Sequence, residues 1–282
     1  MKSGFVSFVG RPNAGKSTLL NAILGQKVSI VSDKPQTTRH QVRGVLNRAD
    51  AQLVFVDTPG IHKAVTPLGE RLNTSATEAI AGVDVVCLVI DATKPIGRGD
   101  LFVADRIPRD AVVVLNKIDI ASRDAVLEQL VKAGQLEREA YFPVSAITGK
   151  GVSELVEHLV ERLPEGPLYY PQSTISDMTE ATWVAELVRE QLFAVMQEEM
   201  PYSITTVVTD WDEGPRGARV RCEILVERES QKGMVIGRQG AVLKAVGTAV
   251  REQLPSGTHL ELFVKVEKDW QRRSGSLDRL GY

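Results

Sequence analysis

The chain has 282 residues, 43% of them hydrophobic and 25% charged, with a formal net charge of −2. That is an ordinary globular make-up, with room for one or two domains that each bury a core. The charge argues against nonspecific wrapping of nucleic acid, and the longest apolar runs, Val85–Ile90 and Ala111–Leu115, are too short to span a bilayer.

Met1-Lys2-Ser3-Gly4 leads into a strand-like stretch without a signal-peptide layout. Residues 1–165 then alternate apolar runs with helical patterns, the signature of a mostly parallel sheet with helices on both faces. Gly4–Val9 reads as a strand and Lys16–Leu24 as the helix after it. Gln41–Leu46 and Ala51–Val56 read as neighbouring strands, paired as a hairpin through Asn47–Asp50. Asp84–Ile90 and Ala111–Leu115 are almost wholly apolar, as central strands buried on both faces should be. Tyr141–Val144 is the expected last strand and Gly151–Leu163 the last helix. Cys87 and Cys222 each sit in an apolar strand pattern, so two buried free thiols in a reducing compartment are expected.

Pro164-Glu165-Gly166-Pro167-Leu168-Tyr169-Tyr170-Pro171 cannot continue a helix. The expected division is therefore a first domain over 1–165, a linker over 166–172 and a second domain over 173–282. In the second, Asp177 and Glu180 form a capping-box-like pair before a helix whose face carries Val184, Leu187, Val188, Leu192, Val195 and Met196. Ser203–Thr209 and Arg219–Val226 follow as strands. A glycine-containing turn at 234–240, a helix stopped by Pro255, and the alternating strand Thr258–Val266 complete an α+β pattern.

Chemistry enters at Gly10-Arg11-Pro12-Asn13-Ala14-Gly15-Lys16-Ser17, with Thr18 behind it, which matches G-x-x-x-x-G-K-[ST]. Its glycines let backbone N–H groups approach phosphates at the positive end of the following helix. Lys16 would reach the β- and γ-phosphates, and Ser17 would give a hydroxyl to magnesium. Asp57-Thr58-Pro59-Gly60-Ile61 ends a strand, where Asp57 can hold magnesium and the Gly60 N–H can sense the γ-phosphate. Asn116-Lys117-Ile118-Asp119 names the base. The Asp119 carboxylate can accept from guanine's ring N–H and exocyclic amine, a donor pair that adenine lacks. Lys117 would pack along the base plane, and Ser145-Ala146 would bring a backbone N–H to the guanine oxygen. Motif order and strand-end placement make GTP or GDP the expected ligand.

With these motifs in place, the chain resembles translation-factor-related GTPases and, more narrowly, the Era family. Gln36-Thr37-Thr38-Arg39 resembles that family's first switch. The resemblance implies that Thr38 completes magnesium coordination and acts with Lys16 and Gly60 in catalysis. Arg39 reads as a solvated switch residue. Ile61 stands where Ras-like enzymes carry the glutamine that orients water, so unassisted hydrolysis is expected to be slow, about 10⁻⁴–10⁻² per second. Asn13 resembles the asparagine of potassium-activated relatives, and a plain turn residue accounts for it equally well.

Val235-Ile236-Gly237-Arg238-Gln239-Gly240 resembles the V-I-G-x-x-G core of a KH domain, in which the glycine loop clamps single-stranded RNA. From Ser173 onward there are 14 basic and 17 acidic residues, yet Arg228, Lys232, Arg238, Lys244 and Arg251 cluster around this loop. Lys232, Ile236, Gly237, Arg238, Gln239, Gly240 and Lys244 are the RNA-binding candidates.

A P-loop GTPase domain followed by a smaller type II KH domain is the Era arrangement, and the resemblance extends to Glu227-Arg228-Glu229, Trp270 and Leu280-Gly281-Tyr282. It implies a monomeric cytoplasmic protein that binds the 3′ end of small-subunit rRNA, assists assembly of the 30S subunit and touches membranes peripherally. The competing reading is an RNA-binding protein in which GTP is a structural cofactor without RNA-coupled turnover.

Overall fold

The alternating pattern of the first 165 residues is realised as a six-stranded sheet in the order β2-β3-β1-β4-β5-β6, in a computed structural model that describes residues 1–197, 200–215 and 217–282. The strands are β1 (Lys2–Val9), β2 (Val42–Asn47), β3 (Ala51–Asp57), β4 (Val85–Asp91), β5 (Val112–Asn116) and β6 (Ala140–Pro143). The helices are α1 (Lys16–Leu24), α2 (Pro67–Ala81), α3 (Arg98–Ala104), α4 (Arg123–Gly134) and α5 (Val152–Arg162). The β2–β3 hairpin is antiparallel, with Val42 opposite Asp57 and Asn47 opposite Gln52. The other strand-to-strand pairings of this sheet are parallel. β3, β4 and β5 are buried almost throughout, which is why they read as continuous apolar runs.

The parallel register has a functional result: the carboxyl ends of β1, β3, β4, β5 and β6 lie along one edge. β1 sits between β3 and β4, so the chain reverses its winding there, the usual place for a ligand crevice in such sheets.

Contacts divide the chain into two units, Met1–Val65 with Gly69–Asp177, and Thr66–Leu68 with Met178–Tyr282. The proline-rich segment 164–171 is fastened to the first of them. The Gly166 N–H donates to Met1 O at 3.0 Å, and Ser3 Oγ donates to Pro167 O at 2.7 Å. Gln52 Oε1 accepts from the backbone N–H groups of Tyr169 and Tyr170 at 2.8 and 3.0 Å. Prolines forbid a helix there, but their free carbonyls still accept hydrogen bonds.

The second unit contains α6 (Glu180–Val195), α7 (Met200–Ser203), β7 (Thr205–Gly214), β8 (Gly217–Val226), α8 (Glu229–Ile236), α9 (Ala241–Arg251), β9 (His259–Val266) and α10 (Ser274–Arg279). β8 is central, antiparallel to β7 and parallel to β9. The α6 cap differs from expectation. Thr179 is the N-cap and its hydroxyl accepts from the Thr182 N–H at 3.2 Å, while Asp177 instead pairs with Arg43 at 3.2 Å. Leu187, Val188, Leu192, Cys222, Ile224, Val246 and Val250 form the core of this unit.

Trp270 is fully buried and its indole N–H donates to Ser203 O at 3.0 Å. Tyr282 stacks on it with ring centroids 6.0 Å apart. Cys87 and Cys222 are free and buried, each thiol pushed up to about 12 by burial.

Candidate functional site

At the switch point the chain leaves β1 into a loop whose shape is set by Gly15. Its φ is 91°, and a Cβ there would lie 2.3 Å from Asn116 Nδ2, so only glycine fits. Pro12, Asn13, Gly15, Lys16, Ser17, Thr18, Gly60 and residues 30–32 and 36–38 line one pocket above the start of α1. Lys16 is buried, with Nζ 3.2 Å from Arg11 O and 3.4 Å from Gly10 O. Burial lowers its pKa against the attraction of Asp57. Arg11 turns away to Asp100 at 3.3 Å.

Three side-chain oxygens converge beside Lys16. Ser17 Oγ lies 2.6 Å from Asp57 Oδ2 and 3.0 Å from Thr38 Oγ1. Ser29 Oγ also donates to Asp57 Oδ2, at 2.9 Å. Asp57 is fully buried and its Oδ1 has no hydrogen-bond partner. Burial raises its pKa, with Lys16 and the hydroxyls opposing. An orphaned carboxylate oxygen beside two hydroxyls is a hard, all-oxygen donor set of the kind magnesium takes.

The base-reading loops are tied together by Asn116, which is 1% exposed. Its Nδ2 donates to Ala14 O at 3.1 Å, and its Oδ1 accepts from the Ala146 N–H at 3.1 Å. Lys117 Nζ donates to Asn13 O and to Asp91 Oδ2, both at 2.7 Å. Burial alone would raise the Asp91 pKa, but the Lys117 and Thr93 hydrogen bonds hold it below the ordinary range. Asp119 stays exposed at the rim.

Several expected residues face elsewhere. The Thr58 hydroxyl donates to Phe8 O at 2.8 Å. Pro59 is buried, and Ile61 packs in the core at 4% exposure. The Ile118 side chain also packs against that core. The Ser145 N–H donates to Lys150 O at 2.9 Å and the Ala146 N–H to Asn116, so both donors are held within the protein. Arg39 is not solvated: it is 2% exposed, because the segment carrying Thr37 and Thr38 folds inward onto Ser17 and Asp57.

Sequence reasoning passed over Ser29, Asp91 and Asn21. Asn21 holds the 28–29 backbone through its Oδ1 at 2.9 and 3.0 Å. Single polar residues without a motif left no signal for them.

In the second unit α8 ends at Gly237, whose φ is 73° and whose Cβ would meet Val242 Cγ2 at 2.5 Å. Gln239 and Gly240 also have positive φ, 53° and 77°, so the backbone turns sharply outward before α9. Arg238, Gln239 and Lys244 are exposed, Lys232 and Ile236 half-buried, and Val235 anchors the loop in the core. Upstream, Gln231 Oε1 accepts from the Glu227 and Arg228 N–H groups at 2.9 and 3.0 Å, which fixes the entry to α8.

A phosphate loop, an oxygen triad and an Asn-Lys-x-Asp loop on one sheet edge define a guanine-nucleotide-binding P-loop protein, and the α+β unit with its helix–glycine loop–helix defines a KH domain. Residues 5–117 match the family described as 50S ribosome-binding GTPase, and residues 199–271 match the KH domain family. The GTPase Era of a Nocardioides species is 44% identical, over 100% of this chain and 96% of the relative. That of Halothermothrix orenii is 40% identical, over 100% and 98%. Among solved structures, a variant of Aquifex aeolicus Era bound to GDP and aluminium fluoride superposes with a TM-score of 0.95 at 36% identity, covering 100% of this chain and 99% of that one. Era in complex with MgGDPNP and nucleotides 1506–1542 of 16S ribosomal RNA matches with the same TM-score, identity and coverage. The chain belongs to the Era family of GTPases.

Proposed function

We propose that this GTPase is a switch whose KH unit binds single-stranded rRNA at the 3′ end of the small-subunit molecule and assists assembly of that subunit. The observation that carries the reading is the exposed Gly237–Gly240 loop, with Arg238, Gln239 and Lys244 at its surface, in a chain that matches an RNA-bound relative over its full length. Glycines at 237 and 240 keep side chains out of the way of a nucleic-acid backbone.

In the nucleotide unit, the N–H groups of 13–18 and Lys16 would hold the phosphates, Asp119 would take the guanine edge, and the Lys117 stem would flank the base. Ser17, Thr38 and Asp57 would hold magnesium, which when bound neutralises phosphate charge. The Gly60 N–H would sense the γ-phosphate. Ala146 would reach the guanine oxygen only by sharing the N–H now donated to Asn116. Loss of the γ-phosphate would release Thr38 and its segment, giving two states of one surface.

Potassium belongs to the same reading. Asn13 Nδ2 donates to Asp33 O at 2.5 Å, so the amide oxygen is the group Asn13 would offer to a monovalent cation. Equal hydrolysis rates in potassium and sodium chloride would remove it. The protein acts here as a monomer in the cytoplasm. Peripheral membrane contact is part of the same proposal; no helix among the described residues is long and apolar enough to cross a membrane.

The test is titration of a labelled RNA copying the small-subunit rRNA 3′ end, with the protein held in GTP analogue or in GDP, beside a scrambled RNA. Sequence-dependent binding that is tighter with the analogue is expected. Equal binding of the scrambled RNA would remove the ribosomal assignment.

A further inference from the structure

Ile61 leaves the hydrolytic site without a water-orienting side chain at the position where many related enzymes carry one. It is 4% exposed and packed with Val9, Leu88 and Ile90, and its side chain has no polar atom to offer. A different amide stands nearby. Gln36 lines the same pocket as Lys16, Ser17, Thr38 and Gly60.

Its placement is built. Gln36 Nε2 lies 3.0 Å from His62 Nε2, and His62 Nδ1 lies 2.8 Å from Gly60 O. A backbone carbonyl only accepts, so Nδ1 carries the imidazole proton, and Nε2 then accepts from the Gln36 amide. With the NH₂ group committed to His62, the acceptor left on Gln36 is its carbonyl oxygen. His62 is fixed in turn through its backbone: its main-chain N–H donates to Asn73 Oδ1 at 3.2 Å, and Asn73 Nδ2 donates to His62 O at 2.7 Å. Gln36 also holds a left-handed backbone, φ 61°, an unusual conformation for a non-glycine residue and one that clusters at functional sites.

We propose that Gln36 orients the attacking water through its carboxamide oxygen, and that His62 is a positioning residue holding the Gln36 amide. The water oxygen forms the new bond to the γ-phosphorus while the bond from that phosphorus to the β–γ bridging oxygen breaks. GDP leaves with the bridging oxygen and its electron pair, and the water protons end on phosphate and solvent. Gln36 accepts a hydrogen bond throughout and is not itself protonated. Because Gln36 and Thr38 share one segment, the water acceptor and the Thr38 hydroxyl arrive at the pocket together. The proposal rests on the phosphate-site reading given above.

The test uses the full chain. Single-turnover hydrolysis and affinity for a fluorescent GTP analogue are measured for wild type, Gln36→Ala, His62→Ala, the double variant and His62→Gln, with thermal melts as a folding control. Gln36→Ala is expected to slow hydrolysis about 10²-fold, with affinity within about threefold of wild type. His62→Ala should slow it less, the double variant should be no slower than Gln36→Ala, and His62→Gln, which offers an amide oxygen to Gln36, should recover part of the rate. A Gln36→Ala rate equal to wild type overturns the proposal, as does a double variant whose losses multiply. Weakened GTP affinity with an unchanged rate also overturns it, by making Gln36 a binding residue. If wild type itself bound no GTP analogue, the phosphate-site reading would fail instead.

Discussion

Replacing Asn116 by alanine is the sharpest structural test of the nucleotide site, because one buried carboxamide joins three loops. The variant removes the donation to Ala14 O and the acceptance from the Ala146 N–H, each at 3.1 Å. Ala14 is 2% and Ala146 7% exposed, so water reaches neither freed group easily. Leaving a buried donor or acceptor unpaired costs about 1–3 kcal/mol, so the pair costs about 2–5 kcal/mol after relaxation. For a domain of this size that is a fall in melting temperature of roughly 5–15 °C. The same energy bounds the loss of preorganisation for ligand: at 1.4 kcal/mol per tenfold, GDP affinity falls by about 30-fold to a few thousand-fold. Differential scanning fluorimetry and titration of a fluorescent GDP measure both quantities in one preparation. A variant with wild-type melting and wild-type GDP affinity would refute the argument that Asn116 holds these loops.

Three further outcomes follow from the geometry. Asp119→Asn exchanges a two-acceptor group for one acceptor and one donor, so competition assays should show GTP affinity falling by about 10²-fold and xanthosine triphosphate gaining on it; retained GTP preference would contradict the base assignment. Asp57 has its folded pKa raised by burial, so the folded state holds the proton above the pH at which the unfolded chain releases it. Unliganded stability should therefore fall as pH rises from the unfolded carboxyl pKa through the folded one, and Asp57→Asn should flatten that slope in melts across pH. Trp270→Phe removes the indole donor to Ser203 O inside the second unit, which should destabilise that unit by about 1–3 kcal/mol in urea titrations.

Much of the fold that frames the site was legible because it depends on local chemistry. α1 spans Lys16–Leu24 as expected, since Gly15 and Gly25 bound it with left-handed backbones that stop a helix cleanly. The β2–β3 hairpin and the central strands followed from alternation and apolar runs. What was not legible depends on partners far along the chain. Asp177 reads as a cap until Arg43 claims it, and nothing in the proline content of residues 164–171 foretells their hydrogen bonds to Ser3 and Gln52. Thr58 and Ile61 sit inside a motif, yet the Thr58 hydroxyl is bound to β1 and the Ile61 side chain packs in the core. Periodicity gives no hint that Arg39 is folded inward, or that His62 and Gln36 meet 26 residues apart in sequence.

The central claim is that a GTPase carries its RNA contact on the Gly237–Gly240 loop. It is tested most directly by the rRNA 3′-end affinity of Arg238→Asp/Gln239→Asp, with GDP affinity measured on the same sample. Both side chains are exposed, so the fold should survive. RNA binding is expected to fall by at least about 10²-fold, as lost phosphate contacts and added negative charge combine, while GDP affinity stays at the wild-type value. Unchanged RNA affinity would contradict the account.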